Sequence, residues 1–158
     1  MAHGVQAVAD VRRFPASRRH PHFSREQLQA FLGTHEILYQ WMPELGGRRS
    51  PRPDSPNTGW RVAGFRGYAD YMETSEFARA FAVLRADAHE RRTAIMCAEA
   101  LWWQCHRRLI ADALLVSGHE VIHIETATKS SPHRITTPAR IANGQLTYAS
   151  EQRSLEVD

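Results

Sequence analysis

The sequence predicts an α/β fold built on a mostly parallel sheet flanked by helices. Two observations carry that expectation. Short runs rich in valine, isoleucine and alanine alternate with stretches of helical periodicity, and strands joined through helices run parallel with right-handed crossovers. A third observation bounds it. At 158 residues the chain has room for one domain with one sizeable core, so residues 1–158 are read as a single domain. Within it, 43–67 reads as a long irregular loop and 126–158 as a C-terminal tail packing on the domain.

Each element has its own reason. Residues 5–11 alternate and are valine-rich, the pattern of a strand. A basic loop punctuated by Pro15 and Pro21 follows. Ser24 reads as an N-cap with Gln27 three residues on, and Leu28, Phe31 and Leu32 supply the apolar face of the helix it starts. Residues 37–42 form a second strand candidate. From Pro43 to Gly67 glycines and prolines take over, and loops of that length are functional lids or disordered. Helix returns over 68–90, interrupted at Thr74, which caps the stretch holding Phe77, Phe81 and Leu84. The apolar run 93–98 predicts a strand buried on both faces. Residues 103–117 read as a helix ended by Gly118, with 120–124 as a further strand. Asn143-Gly144 predicts a tight turn between two short strands.

Composition excludes more than it selects. The net charge is only +3, yet of 20 basic residues Lys129 alone is not arginine. Arginine's planar fork suits phosphate and carboxylate, which fits a nucleotide or nucleic-acid partner; GC-rich coding produces the same bias. No apolar run reaches the roughly 20 residues of a membrane span. The start lacks a basic segment followed by a long apolar stretch, so no secretory signal and no membrane partner are expected. Two cysteines make no disulfide framework, and a cytoplasmic location is expected.

In an open, Rossmann-like sheet, ligands bind outside the carboxyl ends of the strands. Three clusters fall at such ends: Asp10 and Arg12 after the first strand, Glu44, Gly46, Gly47 and Arg48 after the second, and Cys97 and Glu99 after the third. Cys105, His106 and Arg107 open the next helix, where free backbone N–H groups favour anions and Arg107 adds a bidentate grip. A thiol near a helix start and an arginine has its thiolate favoured, so Cys105, or Cys97 facing it, is a candidate nucleophile. Glu99 and Asp10 are a candidate acid/base pair. Arg66 and Tyr68 are placed to close over a ligand. The plainer readings stand beside these: Cys97 and Cys105 as packing thiols, Trp102 and Trp103 as core rather than base-stacking aromatics. The spacing between the cysteines fits neither a CxxC redox motif nor a standard zinc pair. Walker, Gly-x-Gly-x-x-Gly, Gly-x-Ser-x-Gly and zinc-deaminase patterns are missing. No metal and no cofactor are expected.

The ordered set of Asp10-Val11-Arg12 with Phe14-Pro15, Pro43-Glu44-Leu45-Gly46-Gly47, Phe65-Arg66-Gly67-Tyr68, and Cys97-Ala98-Glu99 with Cys105-His106-Arg107 resembles the domain of unknown function 488 family. The similarity runs from about Val5 to Tyr148. It implies a three-layer α/β fold and a site built from those same positions, but no reaction. Members of that family carry another strand and helix first, and Met1 here falls just before what would be their second strand. Either the start was assigned downstream or the sheet lacks its first strand. In the second case a strand without a neighbour favours swapping or a homodimer.

Three functions remain open. The first is a hydrolase-type enzyme cleaving a phosphoester or N-glycosidic bond of a nucleotide or nucleic acid. The second is a non-catalytic module for an anionic small molecule or nucleic acid. The third is a thiol-based redox activity of Cys97 and Cys105.

Overall fold

The computed structural model describes residues 2–150. Three parallel strands, β1 (Ala7–Asp10), β2 (Leu38–Trp41) and β3 (Thr93–Met96), form a sheet in the order β2-β1-β3. Asp10 sits opposite Trp41 on one side and Met96 on the other, so all three strands finish at one rim. β1 is the central strand, with neighbours on both sides.

Helix α1 (Arg25–Gly33) connects β1 to β2, and α2 (Ala63–Met72) and α3 (Ser75–Glu90) connect β2 to β3. The Ser24 hydroxyl accepts the Gln27 N–H at 3.4 Å, and the Thr74 hydroxyl accepts the Phe77 N–H at 3.2 Å. Both satisfy donors that a helix start leaves free.

Side chains alternate across a strand, which sorts the core into two faces. Leu28 and Leu32 of α1 bury with Ile37 against Val8, Tyr39 and Met96. On the opposite face Ala9 and Val11 join Leu45, Tyr68, Phe77, Leu84, Leu109 and Ile110, with Ile95 and Cys97 packed against them. Phe31, expected on the buried stripe of α1, is instead 60% exposed and rests on His35. A helix of nine residues buries only the narrow i, i+4 line of Leu28 and Leu32 here.

Four further expectations need correcting. β3 is an edge strand whose four residues are half-buried, rather than covered on both faces. Its outer edge pairs with no strand among the described residues. The irregular excursion after Pro43 ends at Val62, because the helix holding Arg66 and Tyr68 begins at Ala63. Helix α4 runs Arg107–Val116, while Trp102–Gln104 form a 3-10 turn and Cys105 is extended between them. Finally, β4 (Ile122–Ile124) stays outside the parallel sheet and pairs antiparallel with β5 (Ser130–Pro132). Closing a short local loop costs less chain entropy than a crossover back to the sheet.

β6 (Arg140–Ala142) and β7 (Gln145–Thr147) form a second hairpin. Its turn holds Asn143 at φ 51° and Gly144 at φ 75°, the two positive angles that the dipeptide predicted. Tyr148 and Ala139 return the tail to the main core. No helix among the described residues is long and apolar enough to cross a membrane.

Candidate functional site

The strand rim divides the sequence-predicted residues between two sides of the sheet. On the α1 side, the Asp10 carboxylate is fully buried and saturated with donors. It accepts the Arg12 backbone N–H at 3.0 Å, Arg12 Nε at 2.8 Å, Arg12 Nη2 at 2.6 Å and the Tyr39 hydroxyl at 2.6 Å. The third nitrogen of the guanidinium, Nη1, donates to the Phe23 carbonyl at 2.7 Å. Arg12 is 7% exposed. Hydrogen bonding to Asp10 holds its guanidinium above the ordinary value, and burial pushes Tyr39 upward beyond the usual tyrosine range. A short side chain at a strand end and an arginine two residues on thus make a closed ion pair.

Cys97 belongs to the opposite face, one residue beyond the end of β3. The extended segment at Cys105 returns the chain so that both sulfurs face the Nδ1 atom of His106, at 4.0 Å from Cys97 Sγ and 3.5 Å from Cys105 Sγ. The three atoms lie within 4.8 Å of one another. Arg107 donates its backbone N–H at 3.4 Å and its Nε–H at 3.3 Å to Cys105 Sγ, while Nη2 reaches the Glu99 carbonyl. Cys105 is 2% exposed, whereas Cys97 is only half-buried.

Contact with Cys105 lowers the Cys97 thiol from its ordinary value against the opposing effect of burial, with His106 and the Glu99 N–H acting in the same direction. The same contact, together with burial, pushes Cys105 up, which makes Cys97 the more acidic of the two thiols.

Around His106 the remaining predicted residues act mainly through shape. The Tyr68 ring lies 4.9 Å from the imidazole, and its hydroxyl donates to the Leu45 carbonyl at 2.7 Å. Burial raises that phenol well above its ordinary value. Gly47 passes so close that a Cβ there would lie 2.7 Å from His106 Nδ1. At Gly46 a Cβ would lie 2.8 Å from the Pro43 carbonyl oxygen and 3.0 Å from Arg13 Cβ. Glu44 is exposed and contributes its carbonyl, which accepts the Tyr71 hydroxyl at 2.5 Å. Arg48 is exposed at φ 61°, and its carbonyl receives Arg13. Arg66 is half-buried on α2 and reaches the Arg61 carbonyl. The Glu99 carboxylate is exposed and makes no hydrogen bond among the described residues.

A second polar cluster escaped the sequence reading. Asp112, fully buried in α4, accepts His133 Nε2 at 2.8 Å, the Thr136 N–H at 2.9 Å, the Thr136 hydroxyl at 2.5 Å and the Tyr148 hydroxyl at 2.8 Å. His133 Nδ1 in turn meets His123 Nε2 at 2.9 Å, and His123 stacks on Trp102 at 3.7 Å. The available signal was an aspartate inside the apolar run 109–114, since a buried polar residue is the informative exception. Nothing local in the sequence announces its partners 21 to 36 residues away.

A family model described as "Domain of unknown function DUF488" matches residues 1–114. The chain belongs to the DUF488 family. The DUF488 match takes in every residue of the strand rim from Asp10 to Arg107, together with Asp112, whereas His123, His133, Thr136 and Tyr148 follow it. No curated protein and no solved structure gives a match.

Proposed function

We propose that this DUF488 chain performs thiol chemistry, with Cys97 as nucleophile and Cys105 as its resolving partner. The observation that carries the reading is the meeting of two sulfurs and one imidazole nitrogen at a strand end and a helix start, within 4.8 Å of one another. Sequence reasoning offered Cys105 first as nucleophile; burial favours Cys97, the sulfur with solvent access.

The reaction that fits is exchange with a small-molecule or protein disulfide. The Cys97 thiolate attacks one sulfur of the disulfide, forming a mixed disulfide and releasing one thiolate. Cys105 gives its proton to the His106 imidazole and attacks Cys97 Sγ, breaking the mixed disulfide. The second leaving thiolate takes that proton. The two cysteines are oxidised to an intramolecular disulfide and the co-substrate is reduced to one thiol and one thiolate, the latter protonated from solvent. Arg107 orients Cys105 through two N–H donors.

A hydrolase acting on a nucleotide or nucleic acid draws less support. Asp10 and Arg12 engage each other, and the Glu99 carboxylate stands apart in solvent. As an anion-binding module the start of α4 is compromised, because its first N–H already goes to Cys105 Sγ.

The test is competitive alkylation of the folded, chelator-treated protein followed by peptide mapping. Cys97 is expected to react with iodoacetamide at neutral pH faster than a free thiol, and Cys105 only after unfolding. Equal, slow labelling of both residues would overturn the reading.

A further inference from the structure

We propose that Cys97, Cys105 and His106 also form a binding site for a thiophilic divalent cation of zinc's class, with a fourth position open to solvent or an external thiolate. The inference shares its residues with the exchange reaction but does not depend on it. A bound cation occupies both sulfurs and would hold that reaction off.

Geometry carries the case. A tetrahedral cation about 2.3 Å from each sulfur and about 2.0–2.1 Å from nitrogen needs ligand edges of about 3.6 Å between sulfur and nitrogen and about 3.8 Å between sulfurs. The observed sulfur-to-nitrogen edges are 4.0 and 3.5 Å, and all three atoms lie within 4.8 Å. The sulfur-to-nitrogen edges thus match within about 0.4 Å, and the sulfurs, up to 4.8 Å apart, close to the required edge by side-chain movement of at most about 1 Å. The ligands also stand on fixed elements, one just past β3 and two at the entry to α4.

The surroundings suit a metal thiolate. Arg107 directs two N–H groups at Cys105 Sγ, the outer-sphere contact that orients and tunes a ligating sulfur. Two thiolates cancel the charge of a dication, leaving a neutral centre beside the guanidinium. Gly47 brings no side chain to Nδ1, where a Cβ would intrude at 2.7 Å. Sulfur and imidazole ligands select against calcium and magnesium, which take oxygen. Loading releases the thiol protons, so binding weakens as pH falls. The spacing of the two cysteines concealed this site, because it reads as neither a redox nor a zinc motif until His106 is added by folding.

Cobalt(II) titration of the reduced, chelator-stripped full chain under anaerobic conditions tests the proposal. The expected result is one equivalent bound, with a sulfur-to-cobalt charge-transfer band, intense tetrahedral visible bands, and displacement by zinc(II). Cys97→Ser, Cys105→Ser and His106→Ala are each expected to weaken binding by more than about 100-fold, exceeding the loss of an outer-sphere partner. Iodoacetamide-blocked wild-type protein, whose fold is checked by circular dichroism, should lose the band. His20→Ala, in an exposed loop, should bind like wild type. Absence of the charge-transfer band at saturating cobalt, or its survival in both Cys97→Ser and His106→Ala, overturns the site. If the band is missing while a Cys97–Cys105 disulfide still forms, the cation site falls and the exchange reading stands. A cysteine-dependent band without any disulfide formation reverses that outcome.

Discussion

Replacing Arg12 by methionine separates the two sides of the sheet most sharply. The substitution keeps much of the apolar stem but removes the Nε and Nη2 contacts to Asp10 at 2.8 and 2.6 Å and the Nη1 contact to Phe23 at 2.7 Å. A fully buried carboxylate then retains only a backbone N–H and the Tyr39 hydroxyl. Breaking a buried pair from one side costs about 3–5 kcal/mol. That is a large share of the roughly 5–15 kcal/mol by which a domain is stable. Tyr39→Phe removes one hydrogen bond to the same charge and should cost less, about 1.5–3 kcal/mol. Urea unfolding read by tryptophan fluorescence measures both, provided the slope is unchanged so that the midpoint shift reports stability. Asp10→Leu combined with Arg12→Met should recover part of the loss, since a well-packed apolar pair replaces an ion pair at little cost. In the folded fraction of Arg12→Met, Cys97 alkylation should stay within about twofold of wild type, as expected for sites that share no partners. Unchanged stability together with a collapse of Cys97 reactivity would refute the assignment of Arg12 to a structural pair.

Gly47→Ala places a methyl 2.7 Å from His106 Nδ1 and 3.1 Å from Cγ, so the imidazole must move; a loss of about 1–3 kcal/mol and slower Cys97 alkylation are expected. Asp112→Ala leaves the donors of His133, Thr136 and Tyr148 without their acceptor, and faster trypsin cleavage between residues 129 and 140 should report the loosened tail. Burial lowers His123 to about 4, with His133 and Arg107 adding to the effect. The unfolded chain therefore binds the extra proton first, and stability rises with pH between about 4 and 6.5 and is lost as pH falls through that window. Partial solvent access limits the contribution to about 1–3 kcal/mol. His123→Gln should flatten the acid limb of a melting-temperature profile, and an unaltered profile would count against this cause.

Much of the fold was legible because its signals are local. The alternation in residues 5–11, the Ser24 and Thr74 caps and the Asn143-Gly144 turn each act within a few residues, and each appears in the structure. The misread positions depended on tertiary partners. Whether residues 93–96 become an edge strand is decided by what lies beside them, and 120–124 turned away because a nearer strand was available. The rim itself could be anticipated from strand ends, but the side on which each residue falls depends on exact register. A one-residue difference in phase sends Asp10 toward α1 and Cys97 toward α4. The sequence singles out His106 only through its neighbours at a helix start; its placement between two sulfurs follows from the extended backbone at Cys105, which no motif encodes.

Exposure of the reduced, metal-free protein to a small disulfide, followed by mass spectrometry and peptide mapping, probes the role of the paired sulfurs most directly. Wild type is expected to lose two hydrogens and yield a peptide linking Cys97 to Cys105, whereas Cys105→Ser should retain the mixed adduct on Cys97. A stable adduct on wild type with no internal link, or an adduct that settles first on Cys105, would contradict the account.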